Sequence, residues 1–160
     1  KIIFFMKNQY INIYNNLVNL TRNKNLYKNF NNTDEFQDRL TYFLFHLAFF
    51  LKVFKEKNDK KILQDIYDYC FRQLELSIRE IGYGDQTVNK KMKDYINLFY
   101  AILDKLENWE AESHLNKIEN IAIFLNEGAD KTYLIDYFEN YRQNLLNITL
   151  NSYLKGVINH

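Results

Sequence analysis

The chain has 160 residues, a formal net charge of +1 from 21 basic and 20 acidic residues, no proline and four glycines. A chain of that length buries roughly 70% of its unfolded surface, enough for a core without disulfides or metal. Near-neutral charge argues against a dedicated nucleic-acid binder, so no DNA partner is expected. A single cysteine, Cys70, excludes an internal disulfide and a multi-cysteine metal site.

Taken in order, the elements are helical. The apolar run Ile2–Phe5 is too short for a signal-peptide core or a membrane span, and Met6 is a candidate start. A first helix is predicted from about Asn8 to Asn23, with Tyr10, Ile13, Tyr14, Leu17 and Val18 at helical spacing. A polar stretch to Asn32 follows, anchored by Leu26, Tyr27 and Phe30. Thr33 is the expected N-cap of the second helix, Asp34 to Lys57, with Asp34 and Glu35 in its first turn. That helix holds the most apolar run of the protein, Leu40 to Leu51, and being apolar all round it should be central and buried. Its alternative reading is a partly exposed aromatic face for a hydrophobic partner.

The third helix follows Asn58-Asp59 and carries Ile62, Ile66, Cys70, Leu74, Ile78 and Ile81 on one stripe, ending at Gly82. The fourth begins near Thr87, with Val88, Met92, Tyr95, Phe99, Leu103 and Leu106 inward and lysines opposite. The fifth, Ser113 to Asn126, should turn Leu115, Ile118, Ala122 and Leu125 inward and close at Gly128. The sixth runs from Asp130 to Leu154. Short connections predict one compact all-α bundle of about six helices spanning 1–160, without repeats or linkers.

Catalytic patterns are missing. The chain has no HExxH, EF-hand or Walker motif, and no DDxxD for isoprenoid chemistry. His46 is expected as a buried, hydrogen-bonded imidazole and Cys70 as inert core. His46, Cys70 and Met92 could ligate haem in principle, but without CxxCH and on core faces they are not read as ligands. No cofactor and no metal are expected, and the chain is not read as an enzyme.

Gly82 and Gly84 stand one residue apart between two strongly periodic segments, so the chain makes an elbow there. Arg79 and Glu80 precede it, Asp85 starts the next helix, and Lys90, Lys91 and Lys93 follow. Charge pairs Arg79–Asp85 or Glu75–Arg79 would brace the corner. The same groups could equally orient a partner.

The segment Arg79-Glu80-Ile81-Gly82-Tyr83-Gly84-Asp85, with Val88 and the lysines after it, resembles the ubiquinol–cytochrome c chaperone family. The similarity extends to Tyr14, Arg22, Tyr27, Arg39 and Leu44–Leu47 upstream and to Phe99-Tyr100 and Asn120 downstream, roughly residues 14–144. Glu75, Tyr83 and Gln86 depart from the family pattern, Glu75 keeping the carboxylate. The resemblance implies a chaperone for assembly of respiratory complex III that receives newly made cytochrome b. It also implies a small helical partner subunit, the ribosome exit region as a neighbour, and peripheral membrane contact, in the bacterial cytoplasm or the mitochondrial matrix. Expected client contacts are Arg79, Glu80, Gly82, Gly84, Asp85, Lys90, Lys91 and Lys93, above a groove floored by Tyr42, Phe45 and Phe49. A ribosome- or RNA-contacting adaptor using the three lysines is the other reading.

Overall fold

The computed structural model describes the backbone of residues 2–30 and 35–156 and the side chains of 9–30 and 36–156. Among the described residues it contains seven α-helices and no strand: α1 Ile2–Leu20, α2 Glu35–Phe54, α3 Lys60–Ile81, α4 Asp85–Leu106, α5 His114–Ala122, α6 Lys131–Leu146 and α7 Leu150–Leu154. Short 3-10 turns at Lys24–Tyr27 and Trp109–Ala111 complete it. The expected Thr33 cap lies outside the described residues.

Helix α2 is the axis, with α1, α4 and α6 packed around it. Its run of apolar residues leaves no polar face to offer water, so it is enclosed. Tyr42, Leu44, Phe45, Leu47, Ala48, Phe49 and Phe50 are at most 1% exposed. Phe49 stacks on Phe138 with centroids 5.1 Å apart and meets Trp109 edge-on at 5.2 Å. The Tyr42 hydroxyl donates to the Leu26 carbonyl at 2.8 Å, and its ring meets Tyr27 edge-on. The polar stretch after α1 is thus pinned down through the anchors that its sequence offered.

Several boundaries differ from expectation. Helix α1 begins at Ile2 rather than Asn8, taking in the short apolar run. The predicted sixth helix is broken in two. Thr149 leaves helical geometry and its hydroxyl oxygen accepts the Ser152 N–H at 3.2 Å, starting α7 as a separate element. The break turns Tyr153 inward, edge-on to Phe50 at 5.1 Å. Helix α7 then lies on α1, where Asn12 Nδ2 donates to the Leu154 carbonyl at 2.9 Å. Gly128 is not the terminator of α5: the helix ends at Ala122, and the Gly128 N–H donates to the Asn126 side chain at 2.9 Å. Leu115, expected inward, is 64% exposed. Ile121 is the residue of α5 that is fully buried, and Ile118 is partly covered by the core.

Candidate functional site

The elbow between α3 and α4 is built from the positions that end and restart a helix. Ile78 and Val88, 1% and 0% exposed, fix the last turn of α3 and the first of α4 to the core. Between them Gly82 takes φ +105°, a left-handed conformation that costs an L side chain dearly, and its N–H donates to the Arg79 carbonyl at 3.0 Å. Gly84 is different. It sits in extended geometry (φ −72°, ψ 164°) at the N-cap of α4, supplies no capping side chain, and has nothing within 4 Å of where a Cβ would stand.

Across the bend, Arg79 Nη1 donates to Asp85 Oδ1 at 2.5 Å. Its other terminal nitrogen lies 3.9 Å from Glu75, which also takes Arg72 at 2.5 Å. Both pairs foreseen from the sequence therefore coexist, in an alternating row Arg72–Glu75–Arg79–Asp85. The hydrogen bond it donates to Asp85 holds the Arg79 guanidinium more firmly protonated than usual, with the Asp85 and Glu75 charges adding to it. The Asp85 side chain remains 84% exposed, open to a second partner.

Beside this row stand two apolar residues in water, Ile81 at 59% and Tyr83 at 43% exposure. The Lys91 ammonium sits over the Tyr83 ring, 4.8 Å from its centroid. Glu80, Lys90 and Lys93 are exposed around them. Ile81 was expected on the buried stripe of α3. It lies instead past the last covered turn, where Gly82 bends the chain away. Its place directly before a helix-ending glycine was the signal available for reading it outward.

The structure does not bring Tyr42, Phe45 and Phe49 to this surface. They are sealed beneath the Lys24–Tyr27 turn, α6 and Trp109, and floor no open groove, because the aromatic run is wrapped on every side.

The remaining titratable residues of interest belong to the interior. His46 is 0% exposed. Its Nδ1–H donates to the Tyr42 carbonyl at 2.6 Å, which leaves Nε2 to accept from the Tyr137 hydroxyl at 2.6 Å. Burial pushes this imidazole down to about 4, the bond to Tyr42 opposing. Cys70 is 1% exposed, and burial raises its thiol well above the reactive range. Among the described residues no group of three or more His, Cys, Asp or Glu is placed to hold a metal ion, and no helix is long and apolar enough to cross a membrane.

The fold defines an all-α domain of a kind already seen in the crystal structure of the Cbp3 homolog from Brucella abortus. The two superpose with a TM-score of 0.78 over 98% of this chain and 90% of that one, at 23% sequence identity. No curated protein matches the sequence. The family described as ubiquinol-cytochrome C chaperone matches residues 28–158, and the chain belongs to that family. The matched stretch contains the whole elbow.

Proposed function

We propose that this chain is an assembly chaperone of the ubiquinol–cytochrome c reductase, respiratory complex III, and that it binds newly made cytochrome b at the α3–α4 elbow. The observation that carries the reading is the family match over residues 28–158. The elbow supports the location. It offers an apolar tip, Ile81 and Tyr83, to a hydrophobic client. It also sets polar groups of both signs around that tip, which fixes orientation more than it adds affinity. Gly84 fits the same role: the chain's own packing does not require a glycine there, whereas a partner backbone approaching closely would.

In this reading the chaperone is not an enzyme. It works on the cytoplasmic or matrix side of the membrane, near the ribosome exit, with a small helical subunit beside it. The adaptor alternative would use Lys90, Lys91 and Lys93 against phosphates. Asp85 and Asp94 stand among them and Lys91 is engaged with Tyr83, so a steep fall of binding with salt is what would favour it.

The test is recovery of cytochrome b on tagged protein from its own cell type, with wild type and Arg79→Ala/Asp85→Ala compared. Wild type should recover it, and the variant, folded by circular dichroism, should not. Equal recovery with both removes the elbow as the site, and no recovery with wild type removes the client.

A further inference from the structure

A second surface lies on α5, away from the elbow. Leu115 and Ile123 are the most exposed large apolar residues among those described, at 64% and 65%. Leu115 and Glu119 are one turn apart on α5, and Ile123 continues the same stripe with helical φ and ψ. The opposite side of the helix is secured: Ile121 is fully buried, and Lys117 reaches Glu139 of α6 at 2.6 Å. So the outward stripe is held on a fixed support.

The charge around it is predominantly acidic. Positions 104–127 contain six acidic residues and two lysines. Of these, Lys117 is taken by Glu139 and Glu110 by Lys52 and Arg142. Among the described residues no cation pairs with Glu119, Asp104, Glu107 or Glu127, which leaves an apolar stripe in an acidic field.

That field selects the occupant. Anionic lipid and RNA are repelled by it. A second copy of this chain joined about a two-fold axis would set Glu119 stripes of like charge together. What fits is a segment with apolar anchors followed by Lys or Arg. The cytoplasmic-side ends of membrane helices have that composition, since the loops on that side carry an excess of Lys and Arg. The stripe from Leu115 to Ile123 runs about 12 Å, two turns of helix, suited to an i, i+4, i+7 anchor pattern.

We infer that the α5 stripe receives the basic, cytoplasmic- or matrix-side ends of the client's membrane helices. This rests on the client reading above and names the part of the client that is held.

The test uses the full chain and synthetic peptides that tile the helix ends and loops of cytochrome b from the same cell, measured by fluorescence anisotropy. Peptides joining an apolar end to Lys or Arg should bind, and those from the opposite membrane side should not. Leu115→Ser/Ile123→Ser should weaken binding by about tenfold or more. Glu119→Lys should weaken it at low salt and flatten its salt dependence. Both changes are on exposed side chains, and circular dichroism verifies the fold. Ile81→Ser/Tyr83→Ser should leave peptide affinity unchanged while reducing recovery of full-length cytochrome b. Binding indifferent to the α5 changes overturns the inference, as does a preference for acidic loops or a dimer lost in Leu115→Ser/Ile123→Ser. Recovery of cytochrome b by wild type without any peptide binding overturns it too and leaves the client reading standing. If wild type recovers no cytochrome b, the client reading itself has failed.

Discussion

Helix α2 and the α3–α4 elbow place the same kinds of side chain in opposite circumstances. On α2, Tyr42, Phe45 and Phe49 are enclosed by α1, α4, α6 and the flanking 3-10 turns. At the elbow, Ile81 and Tyr83 stand in water on a corner held by two buried anchors, a glycine and an ion-pair row. Density of apolar residues on all faces of a helix forces burial, because no orientation satisfies water. An apolar residue at the end of a helix, with its neighbours charged, meets no such demand. In α2 the aromatic side chains are the material of the core. At the elbow they are free to serve a contact.

The contrast can be broken most decisively in the core. Phe49→Ala should cost about 3–5 kcal/mol, since it opens a cavity between Phe138 and Trp109. Urea unfolding measures it. A loss below about 1 kcal/mol would mean that α2 is not the packed axis.

A pH titration sharpens the same point. The folded His46 titrates near 4, below its ordinary value of 6.5. Between those values the unfolded chain binds a proton that the folded chain does not, so stability falls as pH drops from 6.5 toward 4 and is complete above 6.5. The loss is on the order of 3 kcal/mol by pH 4. His46→Leu, less stable at neutral pH because Tyr137 loses its acceptor, should show a correspondingly flatter dependence. An unchanged slope would contradict burial of the neutral ring.

At the elbow the effects on stability shrink. Gly82→Ala should cost about 1–2 kcal/mol from its positive φ. Gly84→Ser should be neutral or stabilising by about a few tenths of a kcal/mol, because it adds the absent cap. If it also weakens client recovery, the glycine is kept for a partner and not for the fold. Tyr83→Ser should leave the melting temperature within error while lowering recovery of cytochrome b. A lowered melting temperature would return Tyr83 to the structural side of the comparison.

Much of this was legible in the residues. Gly82 announced the end of α3, and the run from Leu40 to Leu51 announced the axis. Leu26, Tyr27 and Phe30 announced how the stretch after α1 is fastened. What was hidden depends on tertiary packing. The break at Asn147–Thr149 contains neither glycine nor proline; it exists because Tyr153 turns inward to Phe50, a partner distant in sequence. Leu115 has the periodicity of an inward residue, and spacing does not reveal whether a neighbouring helix arrives to cover that face. Ile81 continued the apolar stripe of α3 by count but not in space, since the helix leaves the core one turn earlier. At the elbow the charged pairs were readable, being local in sequence; the exposure of Ile81 was signalled only by the glycine after it, and that of Tyr83 by nothing local.

The bond from Asn12 to the Leu154 carbonyl joins positions 142 residues apart. During translation α1 is made before α7, so part of the surface it finally rests against reaches it only after residues 150–154 have left the ribosome. Until then α1 has α2 and α3 as its main supports. The face of α1 that α7 covers therefore stays open through that interval, and α7 is the piece that closes it.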